Sequence, residues 1–551
     1  MTDKPAYVFY DTETTGLDLD TIQILQIGLI ATDENLKDVD TEKLEGRVSP
    51  WELPAPGALL TTGFDLDEMK KRADSNFDMM TQLADWLKSV NAKAQGPVTF
   101  IGYNSADYDE RVMEQNFYQN LLPKDVTTGA SPNGQPNGRA DVIAMVRMAS
   151  LYMPGAIKMD TKTAGGNASM TLKNIARQNG VDLGDEDAHD ALNDIRATVG
   201  VGAVVKKVAP QIWEQSLKLA TTAGVDKFLA DNQLFTASQF EYGKVRKASV
   251  MTSLTAADGS ATQEALFDLR IDPTPYLNMS VDELKHEILS EEKTGDPFLI
   301  VDKSNAPMIM PMDQSGAILT EKDDVKLFAQ RAATLKANPD FLAKVAEATK
   351  RALDIEKPHM SDRMPEALID KPIAADVQAK LDAFAKEFHD APDWHARALL
   401  TRGFDDRFKT ELAADPSLSR FDKLAQRLVF EHAPQEVSPA WQAYMQKWIA
   451  YRTLDPNPDA PYMTIARARA EIAKIKKDMT KPGNKWAEAK GEELLPKIEA
   501  YYDQVEKDCA KLVPGYSFAA AAGTPPAKPA APANDDKQES PVRKADNTPR
   551  A

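Results

Sequence analysis

The sequence predicts an α/β domain, followed by a small β-rich domain and an all-α region. Three observations carry that expectation. Short aromatic and β-branched runs alternate with helical patterns over the first part of the chain, compact apolar runs cluster between 265 and 310, and from 356 onward the apolar residues recur almost wholly at helical spacing. The boundaries expected from these shifts are 1–211, 212–355 and 356–514, the middle one alternatively being an elaboration of the first domain. A tail at 515–551 is rich in Ala and Pro, has too little apolar surface to bury a core, and is expected to be disordered. No internal repeat is visible.

The first domain opens on Tyr7-Val8-Phe9-Tyr10, a buried-strand pattern that runs straight into Asp11-Thr12-Glu13-Thr14. Side chains alternate along a strand, so Asp11 and Glu13 fall on one side at its carboxyl end. Two carboxylates that close repel each other unless a cation lies between them, and hard divalent ions prefer such oxygen ligands. Taken alone the pair also fits a solvated acidic turn, so the rest of the set must decide. Ile22 to Ala31 reads as a second strand, hairpin-paired with the first across Gly16 to Asp20. Thr81 to Leu87 fits an amphipathic helix, and Val98 to Asn104 a strand that stops at a polar turn. The helix that follows starts with Asp107, Asp109 and Glu110, and acids favour a helix N-terminus for capping and dipole reasons alone. Thr127 to Arg139 reads as a loop, and Thr171 to Arg177 as a helix stopped near Gly180. His189 precedes or opens the next helix, and Asp194 lies on it, about one and a half turns later.

In the middle region the strand candidates are Ala265 to Ile271, Phe298 to Val301 and Pro307 to Met310, with a helix at Val281 to Leu289. In the last region Val377, Leu381, Phe384 and Phe388 mark one face of a helix. A second helix, Ile465 to Met479, carries Arg467, Arg469, Lys474, Lys476 and Lys477, with Lys481 and Lys485 beyond it. Such a face suits a phosphate backbone, an acidic peptide or simply solvent.

A net charge of −18, from 66 basic and 84 acidic residues, argues against a protein coated in positive charge, though a local basic groove still binds nucleic acid on an acidic molecule. The single cysteine, Cys509, excludes an intramolecular disulfide framework and zinc clusters built on several thiolates. Met1 to Pro5 leads into the first strand without a signal peptide's apolar core, and no apolar run long enough to span a membrane follows, so a soluble cytoplasmic protein is expected.

Asp11, Glu13, Asp109, Asp194 and His189 together make a set for metal-dependent phosphodiester hydrolysis. Two ions about 3.5–4 Å apart can stabilise the attacking and leaving oxygens of an in-line displacement, with an imidazole taking the proton of the attacking water.

The segments Phe9 to Gly16, Gly102 to Glu110 and His189 to Asp194 resemble the three motifs of the DEDDh exonucleases. Within that superfamily the chain is most similar to the bacterial exodeoxyribonuclease I family, nearly throughout to residue 512. The likeness includes Leu53 to Ala58, Phe267-Asp268-Leu269 and Arg402-Gly403-Phe404. The resemblance implies an RNase H-like nuclease domain, an SH3-like middle domain and a helical domain that together enclose single-stranded DNA. It implies 3′-to-5′ hydrolysis of that DNA to 5′-mononucleotides, in DNA repair and recombination, with two Mg²⁺ ions for which Mn²⁺ can substitute. By motif position Asp11, Glu13, Asp109 and Asp194 carry over as metal ligands. His189 carries over as general base, with Glu13 and Asp109 also catalytic, and Glu13, Thr14, Tyr103 and Thr171 as substrate contacts. Asp107 competes with Asp109 for the third acid, and the alignment on Gly102-Tyr103-Asn104 favours Asp109. Thr171 stands where a DNA-contacting arginine is expected, and Glu114 replaces another basic residue. Tyr103, Tyr108 and Phe117 are candidates for stacking on bases, each also suited to a core. The family further implies a monomer that binds the acidic, hydrophobic C-terminal tail of single-stranded DNA-binding protein. Competing readings are a DEDDh exoribonuclease or proofreading exonuclease, and a DNA-binding adaptor with an inactive nuclease fold.

Overall fold

The structure is a computed structural model. It describes residues 4–513 except 65, 107, 126, 128, 130, 132, 163–165, 167, 184–190, 242–243, 246, 255–261, 290–295, 354–372, 482–483, 485 and 487–490. His189, Asp107, Lys485 and the 515–551 tail therefore lie outside the described residues.

Five strands form the first sheet: β1 (Tyr7–Thr14), β2 (Ile24–Thr32), β3 (Asp38–Glu45), β4 (Thr99–Gly102) and β5 (Gly138–Asp141), in the order β3-β2-β1-β4-β5. β1, β2 and β3 pair antiparallel, while β4 and β5 run parallel to β1, the mixed sheet expected of an RNase H-like domain. The hairpin between β1 and β2 is as the sequence indicates. Alternation along β1 sends Val8 and Tyr10 into a core with the helices Asn76–Ala94 and Asp109–Gln119. Tyr7 and Phe9 enter the opposite core, under the helices Val142–Tyr152, Leu172–Gln178, Ala191–Val208 and Pro210–Lys218. Ile212 and Trp213 are buried in that same core.

The second sheet is antiparallel, in the order β11-β10-β9-β6-β12, built from β6 (Phe235–Ser238), β9 (Ser249–Ser253), β10 (Gln263–Asp268), β11 (Phe298–Asp302) and β12 (Met308–Pro311). A two-stranded hairpin, β7 (Phe240–Glu241) with β8 (Lys244–Val245), stands apart from it. β10 ends at Asp268 rather than Ile271, because the Asp268 carboxylate accepts from Arg270 N and turns the chain. The helix Val281–Leu289 is present as expected. Two further helices, Val325–Lys336 and Pro339–Leu353, cover the sheet, burying Phe328, Ala332, Leu335, Phe341, Val345 and Ala348. This region is therefore more helical than its apolar runs suggest.

The remainder is helical. Leu381, Phe384 and Phe388 of helix Ala375–Asp390 pack with Phe77, Tyr118 and Leu121 of the first domain, and Val377 packs at the edge of that cluster. The helices Pro439–Thr453, Ile465–Met479 and Gly491–Ala510 share another core with Leu25, Leu53, Leu59, Leu60 and Met69. Helix Ile465–Met479 has the bounds the sequence gives it, yet three of its cations are paired with acids. Arg467 meets Asp18 at 2.7 Å, Arg469 meets Asp503 at 2.9 Å and also Glu506, and Lys476 meets Glu499 at 2.6 Å. No helix among the described residues is long and apolar enough to cross a membrane.

Candidate metal centre

Asp11 and Glu13 extend the face of β1 that Tyr7 and Phe9 begin, so both project toward helix Ala191–Val208 and its Asp194. Oxygen atoms of Asp11, Glu13 and Asp194 all lie within 4.8 Å of one another. Two residues of β2 permit this approach. Gly28 pairs with Asp11, and a Cβ there would lie 2.7 Å from Ile195 Cδ1 and 3.0 Å from the backbone of Ala191 and Leu192. Gln26 pairs with Glu13, and its buried Oε1 accepts the N–H of Ala191 at 2.9 Å.

Asp109 enters from the helix on the other side of β1. Thr12 fastens it beside Asp11, with both its backbone N–H, at 3.2 Å, and its hydroxyl donating to Asp109 Oδ1. Burial raises Asp109 from 3.8 to about 6, against the pull of those two bonds. Asp11 is held well above the usual carboxylate range by burial first, then by the charges of Asp109, Glu13 and Asp194. An all-oxygen donor set whose members repel one another fits a hard divalent cation.

The other expected residues fall around this centre. Thr14 is buried, its hydroxyl sharing a 2.6 Å bond with the Tyr108 hydroxyl and donating to Gly16 O at 3.0 Å. Tyr103 donates to Met170 O at 2.6 Å, which ties the segment leading to Thr171 beside the β4 turn. Thr171 itself is exposed at the start of helix Leu172–Gln178, and its hydroxyl makes no capping bond. Phe117 is 3% exposed in the core and has no face for a base. Glu114 is partly buried on helix Asp109–Gln119.

Several supports escape sequence reading. Asp141 at the end of β5 accepts from Asn104 N at 2.9 Å, Ser105 N at 3.0 Å and Ile143 N at 2.9 Å, shaping a turn in which Asn104 has φ +65°. Glu110 accepts from Tyr10 at 3.0 Å and from Arg139, which also donates to Ser304 O between β11 and β12. A cavity of about 370 Å³ opens between the Asn104 turn and that connection, lined by Asn104, Asp141, Arg147, Gln239, Asp302 and Asn305 among others. Asp141 at a strand end and the Asn104 turn carry a sequence signal in retrospect. The Arg139 and Ser304 contact carries none, because it joins distant segments.

Comparison with known proteins agrees with this geometry. The RNase_T exonuclease family model matches residues 8–201. Curated relatives are similar at low identity. Exodeoxyribonuclease I of Buchnera aphidicola from Acyrthosiphon pisum is 26% identical over 216 residues, 39% of this chain and 49% of the relative. That of Haemophilus influenzae is 24% identical over 361 residues, 62% of this chain and 72% of the relative. The chain thus spans about half the length of the first of these, and more of the second.

Solved structures share the fold over far more of the chain. Exonuclease I of Methylocaldum szegediense aligns with a TM-score of 0.69 at 21% identity, over 91% of this chain and 99% of that one. Escherichia coli exonuclease I with a dA16 oligonucleotide aligns with a TM-score of 0.68 at 17% identity, over 91% and 100%. A structure of SSB/exonuclease I in complex with the inhibitor CFAM aligns with a TM-score of 0.65 at 17% identity, over 91% and 100%. The chain resembles bacterial exodeoxyribonuclease I in sequence and in fold.

Proposed function

We propose that this protein is an exodeoxyribonuclease I that hydrolyses single-stranded DNA from its 3′ end, releasing 5′-mononucleotides, in DNA repair and recombination. The observation that carries this reading is the convergence of Asp11, Glu13 and Asp194 within 4.8 Å, inside an exonuclease-family domain. Asp11, Glu13, Asp109 and Asp194 are the residues that would hold two Mg²⁺ ions, with Mn²⁺ as a substitute. When bound, these ions supply electrostatic stabilisation of the attacking and leaving oxygens. His189 takes the proton of the attacking water, from the segment just ahead of helix Ala191–Val208. Glu13, Thr14, Tyr103 and Thr171 contact the substrate. The Tyr103 hydroxyl is already donated to Met170 O, so its ring face is what it offers a base.

The division into a nuclease domain at 1–211, an SH3-like domain at 212–355 and a helical domain at 356–514 belongs to the same reading. So do a monomeric state, a cytoplasmic location and docking of the tail of single-stranded DNA-binding protein. The fold shared with exonuclease I structures solved with a dA16 oligonucleotide and with SSB supports both partners.

The test is incubation with Mg²⁺ and DNA or RNA oligonucleotides labelled at the 3′ or 5′ end, with a chelator control. Expected is stepwise shortening of single-stranded DNA from the 3′ end that stops when Mg²⁺ is removed. Preference for RNA would replace this reading with an exoribonuclease, and binding without shortening would make the chain an adaptor.

A further inference from the structure

Gln26 is 2% exposed in β2, a strand whose other residues are apolar but for Gly28 and the terminal Thr32. A buried amide needs both its donor and its acceptor satisfied. Here its Oε1 accepts from Ala191 N at 2.9 Å and its Nε2 donates to Glu45 Oε1 at 2.6 Å on β3. Glu45 is held in turn by Arg72 at 3.5 Å and Lys43 at 3.7 Å, and Arg72 is anchored on Leu25 O at 2.6 Å and Gly46 O at 3.1 Å. The orientation of the amide has one solution. A carboxylate only accepts and a backbone N–H only donates, so the amide must present nitrogen to Glu45 and oxygen to the helix. Ala191 is the first residue of the helix that carries Asp194, and a helix's first N–H groups have no partner within the helix.

We infer that Gln26 is a positioning residue: the relay from Arg72 through Glu45 and Gln26 to Ala191 N sets the height of helix Ala191–Val208 over β1, and so sets the spacing of Asp194 from Asp11 and Glu13. The inference rests on the metal-centre reading above. Groups behind a ligand set commonly change metal affinity by about 10–100-fold when removed. Gln26 acts one step further back, through the helix, and is placed at the low end.

Mn²⁺ binding by calorimetry is the primary readout, with melting temperature and DNA shortening measured alongside. Gln26→Met, similar in length but with no donor and only a weak sulfur acceptor, is expected to weaken Mn²⁺ binding about ten-fold and leave KM for DNA within two-fold. Gln26→Glu sets a carboxylate against Glu45 and is expected to be at least as weak. Adding Glu45→Gln to Gln26→Glu restores a donor facing an acceptor along the relay and is expected to return affinity to within about two-fold of the parent. A Gln26→Met protein with parental Mn²⁺ affinity would overturn the inference, as would a double variant no better than Gln26→Glu. Loss of melting temperature with unchanged Mn²⁺ affinity would make Gln26 a stability residue only. Should the parent protein bind Mn²⁺ with this variant pattern yet shorten no DNA, the nuclease reading fails and the positioning role stands.

Discussion

At the end of β1, carboxylates from three separate elements crowd together, whereas on helix Ile465–Met479 the cations Arg467, Arg469 and Lys476 each meet an acid. Both regions are dense in charge and both are read from the sequence as candidate binding surfaces. They differ in whether charge of the opposite sign stands beside them. Through these three pairs the helix joins Gly491–Ala510 and, by Asp18, the first domain. In the acid cluster the neighbours of Asp11 are further acids, so folding stores repulsion there that a cation relieves.

The sharpest way to break this contrast is to remove an acid from the cluster. Asp194→Ala is expected to lower turnover by about a thousand-fold or more while the melting temperature holds or rises, since the change removes repulsion together with chemistry. Equal melting temperatures with turnover near the parental value would reject the assignment. Next in size is Gly28→Ala. The new methyl meets Ile195 Cδ1 at 2.7 Å, which can turn away, and the backbone of Ala191 and Leu192 at 3.0 Å, so the start of helix Ala191–Val208 must give by a few tenths of an ångström. Overpacking of this kind costs about 1–3 kcal/mol, and a shift of the helix is expected to cut activity far more than thermal unfolding would suggest. Retained activity would show that the centre tolerates a displaced Asp194.

The pH dependence of metal-free stability sharpens the same contrast. Asp109 titrates near 6 when folded and near 3.8 when free, so between those values the folded state holds the extra proton. Its contribution therefore stabilises the protein at acid pH and is lost as pH rises through about 6. Chemical denaturation from pH 4 to 8 without metal should show this loss in the parent and less of it in Asp109→Asn. The smallest effects belong to the paired helix. Arg469→Ala leaves Glu506 buried without that cation and is expected to cost about 1 kcal/mol, with no change in the salt dependence of DNA binding. Lys476→Ala, at a solvent-facing pair, should change stability by about 0.5 kcal/mol or less. A shallower salt slope in either variant would return the helix to the list of phosphate-tracking surfaces.

Legibility in the sequence follows the same physics. β1, β2 and helix Ile465–Met479 announce themselves because their burial is one-sided or complete, and apolar spacing records burial directly. β3 does not: Asp38 to Glu45 is an edge strand in which Leu44 is the one buried side chain, so its pairing leaves no apolar pattern. β5 hides for another reason: its first two residues, Gly138 and Arg139, fall inside the Gly-, Pro- and Asn-rich stretch that reads as loop. The acids of the centre were legible as residue types at motif positions. Gln26 and Gly28 were not, because inside an apolar run a glutamine and a glycine look like weak strand residues until the helix above them is placed. The partners of the basic helix are not legible because sequence shows charge without its partner: Asp18 and Arg467 are far apart in the chain and 2.7 Å apart in space.

The position of Asp194 on helix Ala191–Val208 also has a consequence for the newborn chain. On the ribosome, a polypeptide that has already released β1 and the Asp109 helix still lacks its last acid. The acid cluster closes only after that late helix clears the exit tunnel and docks. The order of synthesis thereby holds apart, until the last moment, the like charges that the folded cluster must crowd together.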